Sequence, residues 1–124
     1  MQKLLWIGIL GGAGALARYG IAGAVQRATG AGFPWGTLAV NLAGCFLFGI
    51  VWMLASERMI LSGETRLIVL VGFMGAFTTF STFSFESAQL LRDAEWALAL
   101  GNIVLQNGLG LVAVFAGLTL GRLL

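Results

Sequence analysis

Hydroxyl and aromatic side chains are concentrated in one short run of the chain, where residues 77–84 read FTTFSTFS inside an otherwise apolar stretch. Lipid contains no water to satisfy such groups, so hydroxyls at membrane depth must face protein or a hydrated path. An aromatic ring has a positive edge, so rings presented edge-on beside hydroxyl or amide donors can stabilise a small anion without any full positive charge. A cation site would require carboxylates instead. The run therefore favours a site for a small anion.

Three phenylalanines, Phe77, Phe80 and Phe83, recur at every third position of this run. The spacing predicts that their rings stack along one face of a helix, an arrangement that usually belongs to a packed core. Here Ser81 and Thr82 place hydroxyl donors beside the rings. We therefore treat rings and hydroxyls together as a candidate site.

The segment around the start of the run allows a break in the helix. Gly72 and Gly75 are weak helix formers, and the β-branched Thr78 and Thr79 follow them near mid-membrane. A discontinuous helix exposes carbonyl oxygens and amide protons that can hold ions. The alternative is a regular helix whose hydroxyls donate to carbonyls four residues earlier, which bends the helix without opening it. Composition leaves both open.

Isolated polar residues in the apolar segments are further candidates. Asn41 can donate through its amide, either to a ligand or in an interhelical hydrogen bond worth about 0.6 kcal/mol in membrane proteins. Glu86 lies one turn past Phe83, and Arg18 is its natural opposite charge because an unpaired charge at this depth costs at least about 2.5 kcal/mol. We expect Arg18 either to pair with Glu86 or to extend its charged end to the interface.

The composition as a whole is that of an integral membrane protein. Of 124 residues, 59% are hydrophobic and only 10% are charged, against about 25% charged in a soluble domain. There is no histidine, so the usual general base is missing, and the lone Cys45 can form neither an internal disulfide nor a Cys/His metal site. The seven basic residues form no patch that could follow phosphates. We therefore expect neither an enzyme nor a nucleic-acid-binding protein.

A helix needs about 20 mostly apolar residues to cross the hydrocarbon, and four windows of the chain satisfy this. The apolar pattern resumes after Arg18, so we expect the N-terminal segment to be retained as a span and not cleaved as a secretory signal. The sequence predicts a single four-helix transmembrane domain over residues 1–124, with spans at about Leu4–Val25, Thr37–Ala55, Leu67–Leu91 and Ala97–Leu120.

Loop charges give little orientation signal. The basic residues outside the spans divide between the two sides, with Lys3, Arg58, Arg66 and Arg122 on one and Arg27 and Arg92 on the other. Such a chain could insert in both orientations and pair antiparallel with its own copy. Glycines four residues apart, Gly8 with Gly12 and Gly117 with Gly121, allow close helix approach, either inside one subunit or at a dimer seam.

Three segments together resemble the CrcB/Fluc family of small fluoride channels: residues 11–19, GGAGALARY; residues 33–44, FPWGTLAVNLAG; and residues 72–86, GFMGAFTTFSTFSFE. They cover the first three spans in the family's order, and the third segment is highly specific. The resemblance implies an all-α membrane protein with a broken third helix, assembled as an antiparallel, dual-topology homodimer with two fluoride pores. It also implies a central sodium ion held by backbone carbonyls of Gly75 and Thr78 from both subunits.

The resemblance also implies which side chains line the pore. Phe80 and Phe83 would present their ring edges to fluoride, with the amide of Asn41 donating beside them. Four further residues follow from the matched segments: Ser81 and Thr82 along the path, Glu86 near its end, and Arg18 in a structural or vestibule position.

The fourth helix departs from the family pattern. The family often places small hydroxyl residues along that helix, whereas this chain offers Asn102, Gln106, Asn107 and Thr119. Of these four we assign only Gln106 to the pore.

From these features we predict a passive channel in the cytoplasmic (inner) membrane that exports fluoride down its electrochemical gradient and confers fluoride resistance. Fluoride is strongly hydrated, so several weak donor sites must replace its water without trapping it. Two alternatives stay open: a four-span, dual-topology exporter of small molecules, including proton-coupled exchange through Glu86, and a non-transporting assembly subunit. A cation exporter of that kind would need a carboxylate in the first span, where the chain carries only Arg18.

Overall fold

The computed structural model describes all 124 residues as an all-helical chain. The first, second and fourth spans are continuous helices, whereas the third is divided into four pieces. Short links of polar, glycine or charged residues join the spans. In chain order the elements are α1 (Gln2–Thr29), α2 (Trp35–Ser56), α3 (Gly63–Leu67), π1 (Ile68–Met74), α4 (Gly75–Phe77), α5 (Phe80–Arg92) and α6 (Trp96–Leu123).

Four helical segments are long and apolar enough to cross a membrane, so the chain is a multi-pass membrane protein with four candidate spans. The segments are Gln2–Thr29, Trp35–Ser56, Gly63–Arg92 and Trp96–Leu123, and each contains the window predicted from the sequence. A helix of 28 residues is about 42 Å long at 1.5 Å per residue, which exceeds the hydrocarbon thickness of about 30 Å. The end turns therefore reach the headgroup layer.

Helices α2 and α6 cross with their backbones in contact, and glycines make the contact possible. A methyl group at Gly49 would lie 2.5 Å from the carbonyl oxygen of Val114, and one at Gly121 would lie 2.8 Å from Cβ of Met53. A methyl group at Gly117 would lie closer still to the carbonyl oxygen of Phe46. The Gly117 and Gly121 pair is thus used inside the subunit, where close van der Waals packing holds helices together in lipid.

The other glycine pair has no such partner. Neither Gly8 nor Gly12 has any atom within 4 Å of the position that a side chain would occupy. Elsewhere on α1, Gly14 lies against the backbone of Phe73, and a methyl group at Gly72 would lie 3.0 Å from the carbonyl oxygen of Ile7. The first span therefore packs on π1 through one face and leaves the face with Gly8 and Gly12 open.

The π-helical turn at Ile68–Met74 was not predicted. In this stretch the backbone N–H of Gly75 reaches the carbonyl of Leu70, five residues earlier. Such wide turns are rare and often occur near functional sites. Here the π-helical turn is followed directly by α4, which ends at Phe77, just ahead of the candidate site.

Candidate functional site

The third span is broken at Thr78 and Thr79. Both residues have extended backbones, with φ −85° and ψ 157° at Thr78 and φ −148° and ψ 109° at Thr79. The hydroxyl of Thr79 accepts the N–H of Thr82 at 3.2 Å and so caps the first turn of α5. The predicted break is confirmed. The back-bonding of the alternative is also present, because the Thr78 hydroxyl donates to the Met74 carbonyl at 3.0 Å, but it does not keep the helix continuous.

The side-chain amide of Asn41 on α2 both accepts a hydrogen bond from the backbone at the break and donates one to it. Its Oδ1 accepts the N–H of Thr79 at 2.8 Å, and its Nδ2 donates to the carbonyl of Thr79 at 3.1 Å. The second Nδ2 proton goes to Oε1 of Gln106 on α6, also at 3.1 Å. The amide therefore supplies the partners that Thr79 loses by leaving the helix, and both of its protons are engaged.

The break separates the three phenylalanines that the sequence placed on one helix face. Phe77 is 3% exposed and stacks on Phe73, with ring centroids 5.6 Å apart. Phe80 and Phe83 instead pair with each other edge to face, at 5.5 Å and 63°. The prediction of one shared face is thus wrong for Phe77, because α5 does not continue the helix of α4. It is confirmed for the other two rings.

One cavity of 380 Å³ is lined by the break in the third span, by amide side chains of α2 and α6, and by the edge-to-face rings of Phe80 and Phe83. Five of the predicted site residues line this cavity. Cys45 and Asn107, which the sequence did not predict as site residues, line it as well. The predicted residues that the structure brings together here are Asn41, Thr78, Phe80, Phe83 and Gln106. We call this space the phenylalanine cavity.

The end of the phenylalanine cavity towards the C-terminal part of α2 is apolar. Phe48 and Val114 line both this cavity and an adjoining cleft, which continues between Trp52 and Leu118. On α6, Gly110 faces the Cys45 sulfur, where a methyl group would lie 3.8 Å away. The fourth helix thus offers amides at one end of the cavity and aliphatic groups at the other.

The remaining predicted residues lie elsewhere. Thr82, Glu86 and Arg18 line a second cavity, also of 380 Å³, on the other side of the break. We call it the Glu86 cavity. Ser81 lines neither cavity; its side chain is exposed and lies 3.4 Å from the Thr79 hydroxyl.

The expected pairing of Arg18 with Glu86 is wrong, because the structure contains one salt bridge only, between Arg122 and Glu57 at 3.7 Å. Arg18 Nε instead donates to the carbonyl of Ala76 at 2.9 Å, one of the carbonyls left without a helical partner where α4 ends. Glu86 accepts the hydroxyl proton of Thr37 at 2.8 Å, and its second oxygen is buried without a partner. The two charges share a cavity without contact.

Sequence reasoning missed three residues that organise the site. Thr79 had a usable signal, because threonine is one of the residues preferred at the N-cap of a helix. Thr37 gave no signal, since it is the first residue of the predicted second span and a hydroxyl near a helix start ordinarily bonds to neighbouring backbone. Ser87 likewise has a local bond, to the carbonyl of Phe83 at 2.9 Å, but it also accepts from Asn102 at 3.0 Å.

Comparison with known proteins shows the family to which this chain belongs. Residues 5–118 match the family model described as CrcB-like protein, Camphor Resistance (CrcB). A protein of Nitrosococcus oceani named Fluoride-specific ion channel FluC is 58% identical over 123 residues, covering 99% of this chain and 98% of the relative. Proteins of the same name from Solidesulfovibrio magneticus and Desulforapulum autotrophicum are 54% and 51% identical, each over at least 98% of both chains. The chain therefore belongs to the CrcB family.

Proposed function

We propose that this protein is not an enzyme but a passive, fluoride-selective channel of the cytoplasmic membrane. The channel exports fluoride and so confers resistance to it. The observation that carries the proposal is the 58% identity, over nearly the full length of both chains, to a relative named as a fluoride-specific ion channel. In this proposal residues 1–124 form one four-helix domain, and the phenylalanine cavity is part of the path.

Uncharged donors are what such a path requires. Fluoride holds its water tightly, so the protein must offer several replacement contacts, none strong enough to retain the ion. In the phenylalanine cavity, Phe80 and Phe83 meet edge to face beside the amide of Gln106, and no charged side chain lines the space. Ring edges and amide protons carry partial positive charge only. We assign the fluoride contacts to these groups, with Asn41 donating when one of its present bonds opens.

The Glu86 cavity extends the proposed path beyond the break. Thr82 and the Thr37 hydroxyl lie there with the Glu86 carboxylate, and the guanidinium of Arg18 is partly engaged by a carbonyl. We assign Thr82 to the lining of this cavity, Glu86 to its end and Arg18 to a vestibule. We also assign Ser81 to the path, on the exposed side of the break that a second subunit would cover. A carboxylate at this end prevents fluoride from settling beside the arginine.

A second copy of the chain would complete the site. Phe80 is 76% exposed although its ring lines the phenylalanine cavity, so the anion would lack a wall on that side of a monomer. The open face with Gly8 and Gly12 and the exposed Gly75 offer backbone surface for close approach. We propose an antiparallel, dual-topology homodimer, for which the weak charge bias of the loops removes the orientation barrier.

The break also fits a sodium ion at the dimer centre. The carbonyl oxygen of Thr78 accepts no hydrogen bond from backbone or side chain, and a hard cation prefers such oxygens. Gly75 is exposed and close in sequence to the same break. We propose that carbonyls of Gly75 and Thr78 from both subunits hold the ion, which when bound would balance the carbonyl dipoles that the break leaves free.

One observation favours a second candidate function. The Oε2 atom of Glu86 is buried without a hydrogen-bond partner, and a carboxyl group in this state can carry a proton. A proton-coupled exporter, with Glu86 as carrier, is therefore the alternative.

Reconstituted vesicles distinguish these functions. Vesicles loaded with potassium fluoride and containing the protein are diluted into fluoride-free buffer, and a fluoride electrode follows release while valinomycin balances charge. A passive channel releases fluoride rapidly with equal pH on both sides and does not release chloride. Release that needs a proton gradient would establish proton-coupled export instead, and vesicles that stay closed to fluoride under both conditions would refute fluoride transport by either route.

A further inference from the structure

A continuous line of hydrogen bonds runs from the broken third span to α6. It begins at a backbone N–H, that of Thr79, which can only donate. Asn41 must therefore present its oxygen to Thr79 and its nitrogen to the other side, where the bond to Gln106 measures 3.1 Å. Gln106 must in turn present its oxygen to Asn41, so its nitrogen points the other way.

The same line continues from Gln106 back to the third span. The Gln106 nitrogen lies 3.5 Å from Oδ1 of Asn102, a long contact, and the Asn102 nitrogen donates to the Ser87 hydroxyl at 3.0 Å. Ser87 then donates to the carbonyl of Phe83 at 2.9 Å. That carbonyl can only accept. The line ends in a backbone group on both sides. While the Ser87 hydroxyl donates to Phe83 it can only accept from Asn102, so the two ends then require the same orientation of every amide between them.

Burial makes this orientation costly to reverse. Asn102 is 0% exposed and is the most deeply buried polar side chain of the chain, and Ser87 is also buried. If Asn102 turned over, its nitrogen would face the Gln106 nitrogen, and Ser87 would have to give up its bond to the Phe83 carbonyl in order to donate to the Asn102 oxygen. A buried polar group in such a position loses its hydrogen bond without gaining one from water.

We propose that Asn102 and Ser87 are positioning residues that hold the Gln106 amide with its nitrogen, and not its oxygen, available to an anion in the phenylalanine cavity. Gln106 lines that cavity, and only one of its two Nε2 protons is directed at Asn102. The other is free to donate. This inference rests on the proposed function, and it gives Asn102 a role although it does not line the cavity itself.

Fluoride release from vesicles tests the proposal through a double-variant comparison. Asn102→Leu removes the contact to Gln106 and leaves the Ser87 bond to Phe83 intact, so the fold has its best chance of survival. Loss of one neutral hydrogen bond in the path corresponds to roughly a 3- to 10-fold lower rate, which we expect for Asn102→Leu and for Gln106→Leu. Because both act through one amide, the double variant should be no slower than Gln106→Leu alone. Multiplying losses, or an unchanged rate in Asn102→Leu, would overturn the proposal.

Thr119→Val is the matched control. It removes a polar side chain from the same helix, at an exposed position where the hydroxyl bonds only to the carbonyl of Phe115. Release by this variant should equal that of the unmodified protein. If every variant transports equally poorly and melts earlier, Asn102 is merely structural and the proposal fails.

A measurement without transport separates this inference from the proposed function. In nitrogen-15 spectra of the detergent-solubilised protein, the side-chain amide signals of Gln106 are identified by their loss in Gln106→Leu. We expect these signals to shift in Asn102→Leu and in Ser87→Ala, and to stay in place in Thr119→Val. Unshifted signals would refute the positioning role even in an active channel, whereas a shift in a protein that does not conduct fluoride would leave the positioning intact and refute the function.

Discussion

The side chain of Asn41 supplies the two backbone hydrogen bonds that Thr79 would make in a helix: it accepts the Thr79 N–H at 2.8 Å and donates to the Thr79 carbonyl at 3.1 Å. One side chain of the second span thereby stabilises a gap in the third. The same amide also contacts α6 through Gln106. The break is therefore a built feature held by three spans and not a local defect of the third helix.

Replacing Asn41 with aspartate should suppress fluoride transport. Asn41→Asp keeps the size and the acceptor for the Thr79 N–H but removes both donated bonds and adds negative charge beside the path of an anion. We expect fluoride release from vesicles to fall at least about 10-fold, the equivalent of some 1.4 kcal/mol. Asn107→Asp is the control for charge alone, since Asn107 lines the same cavity but bonds only to the carbonyl of Ile103. Equal losses in both variants would contradict a special role for Asn41.

Replacing either ring of the edge-to-face pair should slow fluoride, with different effects on stability. Phe80→Ile and Phe83→Ile each remove a positive ring edge from the cavity. Since Phe83 is 8% exposed, its replacement should also cost about 1–3 kcal/mol of stability, whereas the exposed Phe80 should cost little in a monomer. Flux assays and thermal melting in detergent measure the two effects. Full flux in both variants would remove the rings from the mechanism.

Replacing Val114 with serine should speed fluoride transport. Val114 lies at the apolar end of the phenylalanine cavity, where the ion would lose water contacts without gaining donors. A hydroxyl there offers about one hydrogen bond, so we expect release to rise roughly 2- to 5-fold. Val112→Ser on the exposed side of α6 is the control and should not change the rate. A slower Val114→Ser channel would show that the path avoids this end of the cavity.

Alanine at the crossing of α2 and α6 should destabilise the fold. Gly117→Ala places a methyl group against the carbonyl of Phe46, and the helices must separate to admit it. Overpacking of this kind costs about 1–3 kcal/mol and lowers the melting temperature. Gly101→Ala, on the same helix with nothing within 4 Å, should be neutral or stabilising because alanine favours helix. Similar melting of the two variants would argue against the close crossing.

Orientation in the membrane can be read from one introduced cysteine. The chain has a single native cysteine, so Cys45→Ala with Glu64→Cys places one thiol on the exposed α3. If the two orientations are equally populated, an impermeant maleimide added to intact cells should label about half of the copies. Labelling of nearly all or nearly none would contradict the dual-topology dimer and would leave the rest of the proposal standing.

Local patterns in the sequence were sufficient to identify the spans and the place where the third span could break, whereas the break itself was implied only by the family resemblance. Hydropathy over about 20 residues fixes where a helix can cross lipid, and Gly75 ahead of Thr78 and Thr79 weakens the helix where it opens. The conspicuous polar residues of the second and third spans were candidates on the same ground, since buried polar groups in lipid need partners. The prediction that Phe77 shares a face with Phe80 and Phe83 is wrong, because it requires one continuous helix and α4 ends at Phe77.

Only the tertiary structure decided which groups meet. Asn41 lies 38 positions from Thr79 and 65 from Gln106, and Arg18 lies 58 from the carbonyl of Ala76, so no local pattern records these contacts. Opposite charge predicts a pair between Arg18 and Glu86. Packing instead places Arg18 next to the carbonyl of Ala76 and Glu86 next to the hydroxyl of Thr37. The amino-acid sequence by itself determined the membrane fold and the inventory of donors. Their partners and orientation were set by helix packing, because a hydrogen bond requires two atoms within about 3 Å and sequence spacing cannot measure that distance between spans.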